Sequence, residues 1–351
     1  MAEKDSKFKN AVGKVGDFLN HISNIFDSDD PTIVVPYRGF SNDDRLFMKG
    51  RVLENEDIFT GKTGNELRNL VNSFKRFETD EIAGAEVSIK IQNQLFSART
   101  DEEGYYTIET PWTAPVNPPE NNWITAEVVL PKILNETGKT VSSPAEVYVP
   151  SRNADYGIIT DVDDTILQTH VASRFKLKML YATFLQDAEQ RKPMEGMVQA
   201  LQEFEKGSDG QKKNPVFYVS HSPWNIYDIL EQFLEVQEFP AGPLLLRDFG
   251  WSPVGNYADH KSKTITQILE MYPDLPFILL GDAAEKDTDF YLDLAHKYPD
   301  RIKSIYIRQV RDTKNARRIA KLIKQNSEVD VLLFSSSDEL FEHARSKEFL
   351  A

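Results

Sequence analysis

From Tyr156 onward, short apolar runs alternate with stretches of helical spacing, and few folds accommodate that alternation. The runs are almost continuously apolar, as expected for strands that are buried on both faces of a parallel sheet. They are Tyr156–Thr160, Val216–Val219, Leu244–Leu246, Phe277–Leu280, Ile302–Ile307 and Val331–Phe334. Helices are predicted between them, at Ile226–Leu234, Thr264–Met271 and Phe290–His296. The pattern predicts an α/β domain over residues 151–351, built on a Rossmann-like, doubly wound parallel sheet.

Residues 31–150 have a different pattern, with short runs rich in β-branched and aromatic residues between turn-prone segments. The predicted strands are Thr32–Tyr37, Phe47–Leu53, Ala85–Ile91, Tyr105–Glu109, Ile124–Leu130 and Ala145–Val149, and a helix is predicted at Glu66–Phe77. Thr100-Asp101 followed by Gly104-Tyr105 resembles a marker of carboxypeptidase-regulatory or transthyretin-like β-sandwiches. This mostly-β, sandwich-like accessory domain shows no catalytic cluster, so we expect a targeting or interaction role with a partner that the sequence does not identify.

Residues 1–30 are predicted to form an amphipathic N-terminal helix and a linker. Apolar residues recur at spacings of three and four between Phe8 and Phe26. The helix either docks on its own protein or lies in a membrane interface. Four lysines favour the interface, but Glu3, Asp5 and Asp17 largely cancel their charge.

Charge and composition exclude several classes of protein. The net charge of -14 argues against general nucleic-acid binding, because an acidic surface repels phosphates. The absence of cysteine excludes disulfides, thiolate catalysis and Cys-based zinc sites. No apolar run is long enough for a transmembrane segment, and the first residues lack a secretory signal. The expectation is a cytoplasmic protein, with peripheral association at a membrane as a further option.

Polar residues stand where the predicted strands end, which is where ligands bind in open α/β sheets. Asp161 ends the first strand and Asp163 lies two residues later, on the same side of an extended chain. A carboxylate can attack phosphorus, and a second one can protonate the leaving oxygen and then activate water. Asp is also common in turns and helix caps, so the segment DVDDT taken alone leaves that alternative open.

Three further strand or helix ends carry polar residues. Ser220 follows the second strand and is suited to phosphate oxygens, although a helix cap is the simpler alternative. Lys261 and Lys263 open a helix, and either one can neutralise a transferring phosphoryl group. Asp282 ends a fourth strand and has acidic residues after it, which suits Mg²⁺ but equally describes a metal-free acidic loop. The order of these four motifs on successive βα units favours one common site.

With these residues assembled, the chain resembles the haloacid dehalogenase superfamily. It resembles the catalytic domain of the actin-patch phosphatidate phosphatase family more specifically, over about residues 150–311. The resemblance is carried by DVDDTI, YVSHSPWNIY, FPAGPLLLRDFG, HKSKTITQIL, ILLGDAAEKDTDFY and IYIRQV. It implies a Mg²⁺-dependent phosphomonoester hydrolase that acts through an aspartyl phosphate.

The resemblance also implies roles for particular residues. Asp161 is the nucleophile and Asp163 the acid and base, while Ser220 and Lys261 bind phosphate. Mg²⁺ is held by Asp161, the Asp163 carbonyl and Asp282, with Asp287 as a supporting acid. The predicted substrate-binding residues are Thr165, Ser222, His221, Trp224 and Arg308. Ala283 departs from the family pattern, because a hydroxyl usually stands at this position.

The substrate class rests mainly on the resemblance, which implies phosphatidate as the phosphorylated lipid substrate. About 50 residues separate Thr165 from Val216, which leaves room only for a small cap, so the site is expected to admit a lipid headgroup at a membrane surface. Two basic stretches, Arg174–Lys192 and Arg311–Lys324, can meet anionic lipid or can be solvated helix faces. The alternatives are a phosphatase for a soluble metabolite or phosphoprotein, and a non-catalytic scaffold. The intact Asp161/Asp163 pair counts against the scaffold.

Overall fold

A computed structural model of the chain describes residues 32–54, 81–115, 119–134, 138–162, 196–247, 257–283, 287–309 and 314–351. The two helices predicted at residues 8–26 and 66–77 lie outside these ranges, as do Asp163 and Thr165. The chain divides into two compact units, and among the described residues the first unit ends at Val149 and the second begins at Pro150. The predicted domain boundaries at residues 30 and 150 stay predictions.

The described part of the first unit is a sheet of eight strands. They are β1 (Thr32–Pro36), β2 (Gly39–Ser41), β3 (Arg45–Glu54), β4 (Glu86–Ile91), β5 (Gln94–Arg99), β6 (Tyr105–Pro111), β7 (Trp123–Leu134) and β8 (Thr140–Tyr148). The order is β1-β3-β2-β8-β7-β4-β5, and β6 pairs with β3. β2 runs parallel to β8, whereas the other pairs are antiparallel, so the sheet is mixed.

The core of this unit follows the alternation of apolar residues along the strands. Val87, Ile89 and Ile91 of β4 are fully buried in one apolar cluster with residues of β1, β3 and β7. β1 contacts β7 and β8, and β5 contacts β6, so the sheet folds over this core. All six predicted strands are confirmed, but a sandwich of two separate sheets is not, because β2 links the two halves into one hydrogen-bonded path.

The second unit contains a parallel sheet of six described strands. They are β9 (Gly157–Asp161), β10 (Val216–Pro223), β11 (Leu244–Arg247), β12 (Phe277–Asp282), β13 (Ile302–Arg308) and β14 (Val331–Phe334). Their order is β11-β10-β9-β12-β13-β14. Every residue of β9 and β12 is buried, which explains why these strands are almost continuously apolar. The predicted α/β organisation with a parallel sheet is confirmed.

Six described α-helices accompany this sheet. They are α1 (Met197–Lys206), α2 (Tyr227–Val236), α3 (Tyr257–Met271), α4 (Asp287–Lys297), α5 (Lys314–Gln325) and α6 (Ser337–Ser346), with a short 3₁₀ turn at Trp224–Ile226. The three predicted helices correspond to α2, α3 and α4. Helix α2 begins one residue later and ends two residues later than predicted, whereas α3 and α4 have wider bounds. In the part of the chain that the structure describes, no helix is long and apolar enough to cross a membrane.

Candidate active site

The carboxyl ends of β9, β10 and β12 place three predicted site residues at one edge of the parallel sheet. Asp161 pairs in register with Val219, so that Ser220 is the next residue on the neighbouring strand. On the other side, Thr160 pairs with Leu280, two residues before Asp282. Side chains that are distant in sequence therefore converge because the central strands are parallel and in register.

A buried ion-pair network occupies this edge. The Nζ atom of Lys261 lies 2.9 Å from Oδ1 of Asp161 and 3.1 Å from Oδ1 of Asp287. All three side chains are at most 2% exposed. Lys263, the other lysine considered from the sequence, has an exposed side chain. The geometry thus places Lys261, and not Lys263, against the predicted nucleophile.

Asp287 also contacts the backbone of the strand that carries Asp282. Its Oδ2 accepts a hydrogen bond of 3.4 Å from the Asp282 N–H, while its Oδ1 accepts one from Lys261. The close packing requires glycine at position 281, because a Cβ there would lie 2.8 Å from Asp287 Oδ2 and 2.8 Å from Tyr291 Cε2. The Tyr291 hydroxyl donates to the Leu280 carbonyl at 3.0 Å, which fixes α4 on β12. Asp287 therefore holds Lys261 in place, a connection that the sequence analysis missed.

Ser220 and His221 lie at the end of β10. Ser220 is fully buried, and its hydroxyl accepts a 2.9 Å hydrogen bond from the Ser222 N–H, which holds the last residues of the strand. The ring centroids of the half-buried His221 and His260 are 6.3 Å apart. His260 was not assigned a role from the sequence, although it stands directly before Lys261.

The remaining predicted substrate contacts differ in exposure. Trp224 is buried and its ring stacks on Tyr227 with a centroid distance of 5.9 Å, so it packs within the protein. Arg308 is half-buried and pairs in register with Asp282 across β12 and β13. Burial lowers the pKa of the Arg308 guanidinium, and the Asp282 carboxylate opposes that shift. Arg308 thus brings a second cation to the carboxyl edge.

The charge balance and donor chemistry of the described edge fit a hard cation. Asp161, Asp282 and Asp287 bring three buried carboxylates, which exceed the two cations Lys261 and Arg308. Within the described residues no three acidic or imidazole side chains form a metal-holding group. Mg²⁺ is bound in proteins through one or two carboxylates and keeps several waters, so Asp161 and Asp282 are a sufficient protein contribution.

Comparison with known proteins finds a family model that matches part of the second unit. Residues 156–309 match the family described as "Phosphatidate phosphatase APP1, catalytic domain". A phosphatidate phosphatase of Saccharomyces cerevisiae is 31% identical over 160 residues, which are 43% of this chain and 25% of the yeast protein. The resemblance predicted from the motifs is confirmed for this segment.

Two further likenesses are less informative. An uncharacterised protein of Schizosaccharomyces pombe is 27% identical over 219 residues, or 61% of this chain and 34% of that protein. The matched parts therefore span a quarter to a third of the length of these two relatives. A solved carbohydrate acetylesterase from Xanthomonas citri aligns with 90% of this chain and 75% of its own length at 10% identity. Its TM-score of 0.31 supports no inference about fold or function.

Proposed function

We propose that this chain, whose residues 156–309 match the phosphatidate phosphatase catalytic-domain family, is a Mg²⁺-dependent phosphatase of the haloacid dehalogenase type. The preferred substrate is phosphatidate, which is hydrolysed to diacylglycerol and phosphate. The observation that carries the proposal is the buried contact of Lys261 with Asp161 at the carboxyl edge of the parallel sheet. The parallel strand order and the separate contacts α1–α6 and α3–α4 are compatible with the doubly wound fold of that superfamily.

In the proposed mechanism, an oxygen of Asp161 attacks phosphorus and forms an aspartyl phosphate while the lipid alkoxide leaves. Asp163 donates a proton to that alkoxide and then removes a proton from the water that cleaves the intermediate. Lys261 neutralises charge on the phosphoryl oxygens, because its ammonium already lies 2.9 Å from the attacking carboxylate. Ser220, fully buried at the neighbouring strand end, orients the phosphate.

Mg²⁺, when bound, offsets the repulsion between the carboxylate nucleophile and the anionic substrate. Asp161, Asp282 and the Asp163 carbonyl would hold it. Asp287 has a different part in this proposal, because both of its oxygens are engaged, one by Lys261 and one by the Asp282 N–H. We assign Asp287 to positioning Lys261 and not to direct coordination.

The lipid assignment is supported by the family match and by the yeast relative, which is named for phosphatidate hydrolysis. A soluble phosphomonoester is the second candidate, since the buried charge network acts on the phosphoryl group alone and does not distinguish lipid from metabolite. A scaffold without activity is disfavoured, because burying three carboxylates at one sheet edge is costly without a ligand that uses them.

The test is a substrate panel with and without Mg²⁺. Phosphatidate in mixed micelles is compared with soluble alkyl phosphates and a phosphopeptide, using the full chain and its Asp161→Asn variant. We expect Mg²⁺-dependent phosphate release that is fastest on phosphatidate and absent in the variant. Faster release from a soluble ester would replace the lipid assignment by the second candidate. Equal activity in the Asp161→Asn variant would remove Asp161 as the nucleophile.

A further inference from the structure

Helix α5 is the most strongly basic element of the described chain. Its sequence KNARRIAKLIKQ contains five basic residues and no acidic one, although the whole chain has a net charge of -14. Ala316 and Ile319 are buried, whereas Arg317, Lys321 and Lys324 are exposed. The spacing of four and three places these three cations on one face, opposite the apolar one. This set of three residues is called the α5 basic face below.

The α5 basic face belongs to a helix that is tied to the candidate active site. Helix α4 begins with Asp287, which contacts Lys261 in the site. Asp289 lies two residues later on α4, which is a helical rise of about 3 Å. Both of its carboxylate oxygens accept hydrogen bonds of 2.7 Å from Nη1 of Arg318. Helix α5 also begins shortly after Arg308, at the edge where β13 ends. A surface bound by α5 would therefore lie close to the site.

We propose that the α5 basic face binds the anionic surface of a lipid bilayer and holds the catalytic unit against it. The choice of a lipid partner rests on the proposed function. Arg318 contributes less, because the Asp289 carboxylate neutralises its charge. Each Lys or Arg near an anionic bilayer increases binding by about fivefold, so three cations together give a factor of about 100. An acidic protein would also meet these charges, and the experiment separates that case.

The experiment measures binding of the full chain to sedimented vesicles, without any turnover. Vesicles of phosphatidylcholine alone are compared with vesicles that contain phosphatidylserine, so that the lipid substrate itself is absent. The test variant is Arg317→Gln/Lys321→Gln/Lys324→Gln, which keeps good helix formers in α5. The matched control is Lys213→Gln/Lys297→Gln/Lys303→Gln, because these exposed residues of the same unit carry the same total charge. Circular dichroism verifies that both variants are folded.

We expect the unmodified chain to bind the anionic vesicles only, and salt should weaken this binding. The affinity should fall by about 100-fold in the test variant and by only a few-fold in the control. Equal losses in both variants would show that net charge alone matters, and this would overturn the proposal. No binding by the unmodified chain would also overturn it and would leave an acidic protein as the partner. The Asp161→Asn variant should bind as the unmodified chain does. If the unmodified chain has no phosphatase activity but still binds the vesicles through α5, the proposed function is refuted and this inference is not.

Discussion

One ion pair from each unit can be compared, because the first is partly exposed to solvent and the second is buried. In the first unit, Arg38 and Glu146 form an ion pair of 3.1 Å in which Glu146 is half exposed to solvent. In the second, Lys261 and Asp161 form a pair of 2.9 Å with almost no exposure. Exposed pairs contribute about 0–1 kcal/mol to stability, whereas a buried charge costs several kcal/mol of desolvation before its partner compensates. The comparison teaches that the first pair belongs to an ordinary surface, whereas the second is the buried pair on which the proposed mechanism depends.

The largest effect is expected for Lys261→Met. Removing the cation leaves Asp161 and Asp287 buried without it, which should lower the free energy of unfolding by about 3–5 kcal/mol. Catalysis should fall by roughly 10²–10³-fold, because charge on the phosphoryl group is no longer neutralised. Denaturant unfolding and kcat/KM measure the two effects. Lys263→Met is the matched control, since its exposed side chain predicts little change in either quantity. Equal effects of the two substitutions would contradict the assignment.

A smaller effect is expected for Gly281→Ala. The new Cβ would lie 2.8 Å from Asp287 Oδ2, so we expect Asp287, which contacts Lys261, to be displaced. Overpacking of this kind costs about 1–3 kcal/mol, and kcat should fall with it. If the loss acts through Asp287, then Gly281→Ala should add little to Asp287→Asn in a double-mutant cycle. Fully additive losses in kcat would show that the two residues act independently.

The smallest effect is expected in the first unit. Glu146→Gln removes the exposed partner of Arg38 and should change the free energy of unfolding by less than about 1 kcal/mol. The difference from the unmodified chain should shrink further in high salt, which screens exposed pairs. Thermal or denaturant unfolding at two salt concentrations measures it. A loss comparable with that of Lys261→Met would contradict the contrast between the exposed and the buried ion pair.

The sequence predicted the strands best where burial dictates composition. The fully buried β9 and β12 were recognised by their continuous apolar runs. β2 and β5 were missed, since GFS is only three residues long and QLFSAR mixes polar residues into a half-exposed edge strand. Helical stretches were expected between Thr165 and Val216, but α1 was not given bounds, because its N-cap is Gly196, which has no side chain to mark the start of the helix.

The candidate site was predictable in its members but not in all its contacts. Asp161, Ser220 and Asp282 converge because parallel strands end at one edge, a rule that the sequence pattern alone allows one to apply. The choice between Lys261 and Lys263 depended on which face of α3 packs against the sheet. The contact of Asp287 with Lys261 depended on the close packing of α4 over Gly281, which no local pattern encodes.

The central claim, that Asp161 carries the phosphoryl group, is tested most directly by trapping the phosphoenzyme. Asp163→Asn should slow both alkoxide departure and hydrolysis of the intermediate, because general acid–base catalysis contributes about 10²–10⁴-fold. An aryl phosphate such as p-nitrophenyl phosphate needs little protonation of its leaving group. This variant should therefore release a burst of nitrophenol and accumulate the phosphorylated enzyme.

Intact-mass and peptide mass spectrometry after rapid acid quench provide the measurement. The account predicts one phosphoryl group on Asp161 in the Asp163→Asn variant, and none when Asp161→Asn is added to it. A phosphoryl group on another residue, or catalytic turnover by the chain with no phosphoenzyme and no burst in the Asp163→Asn variant, would contradict the account.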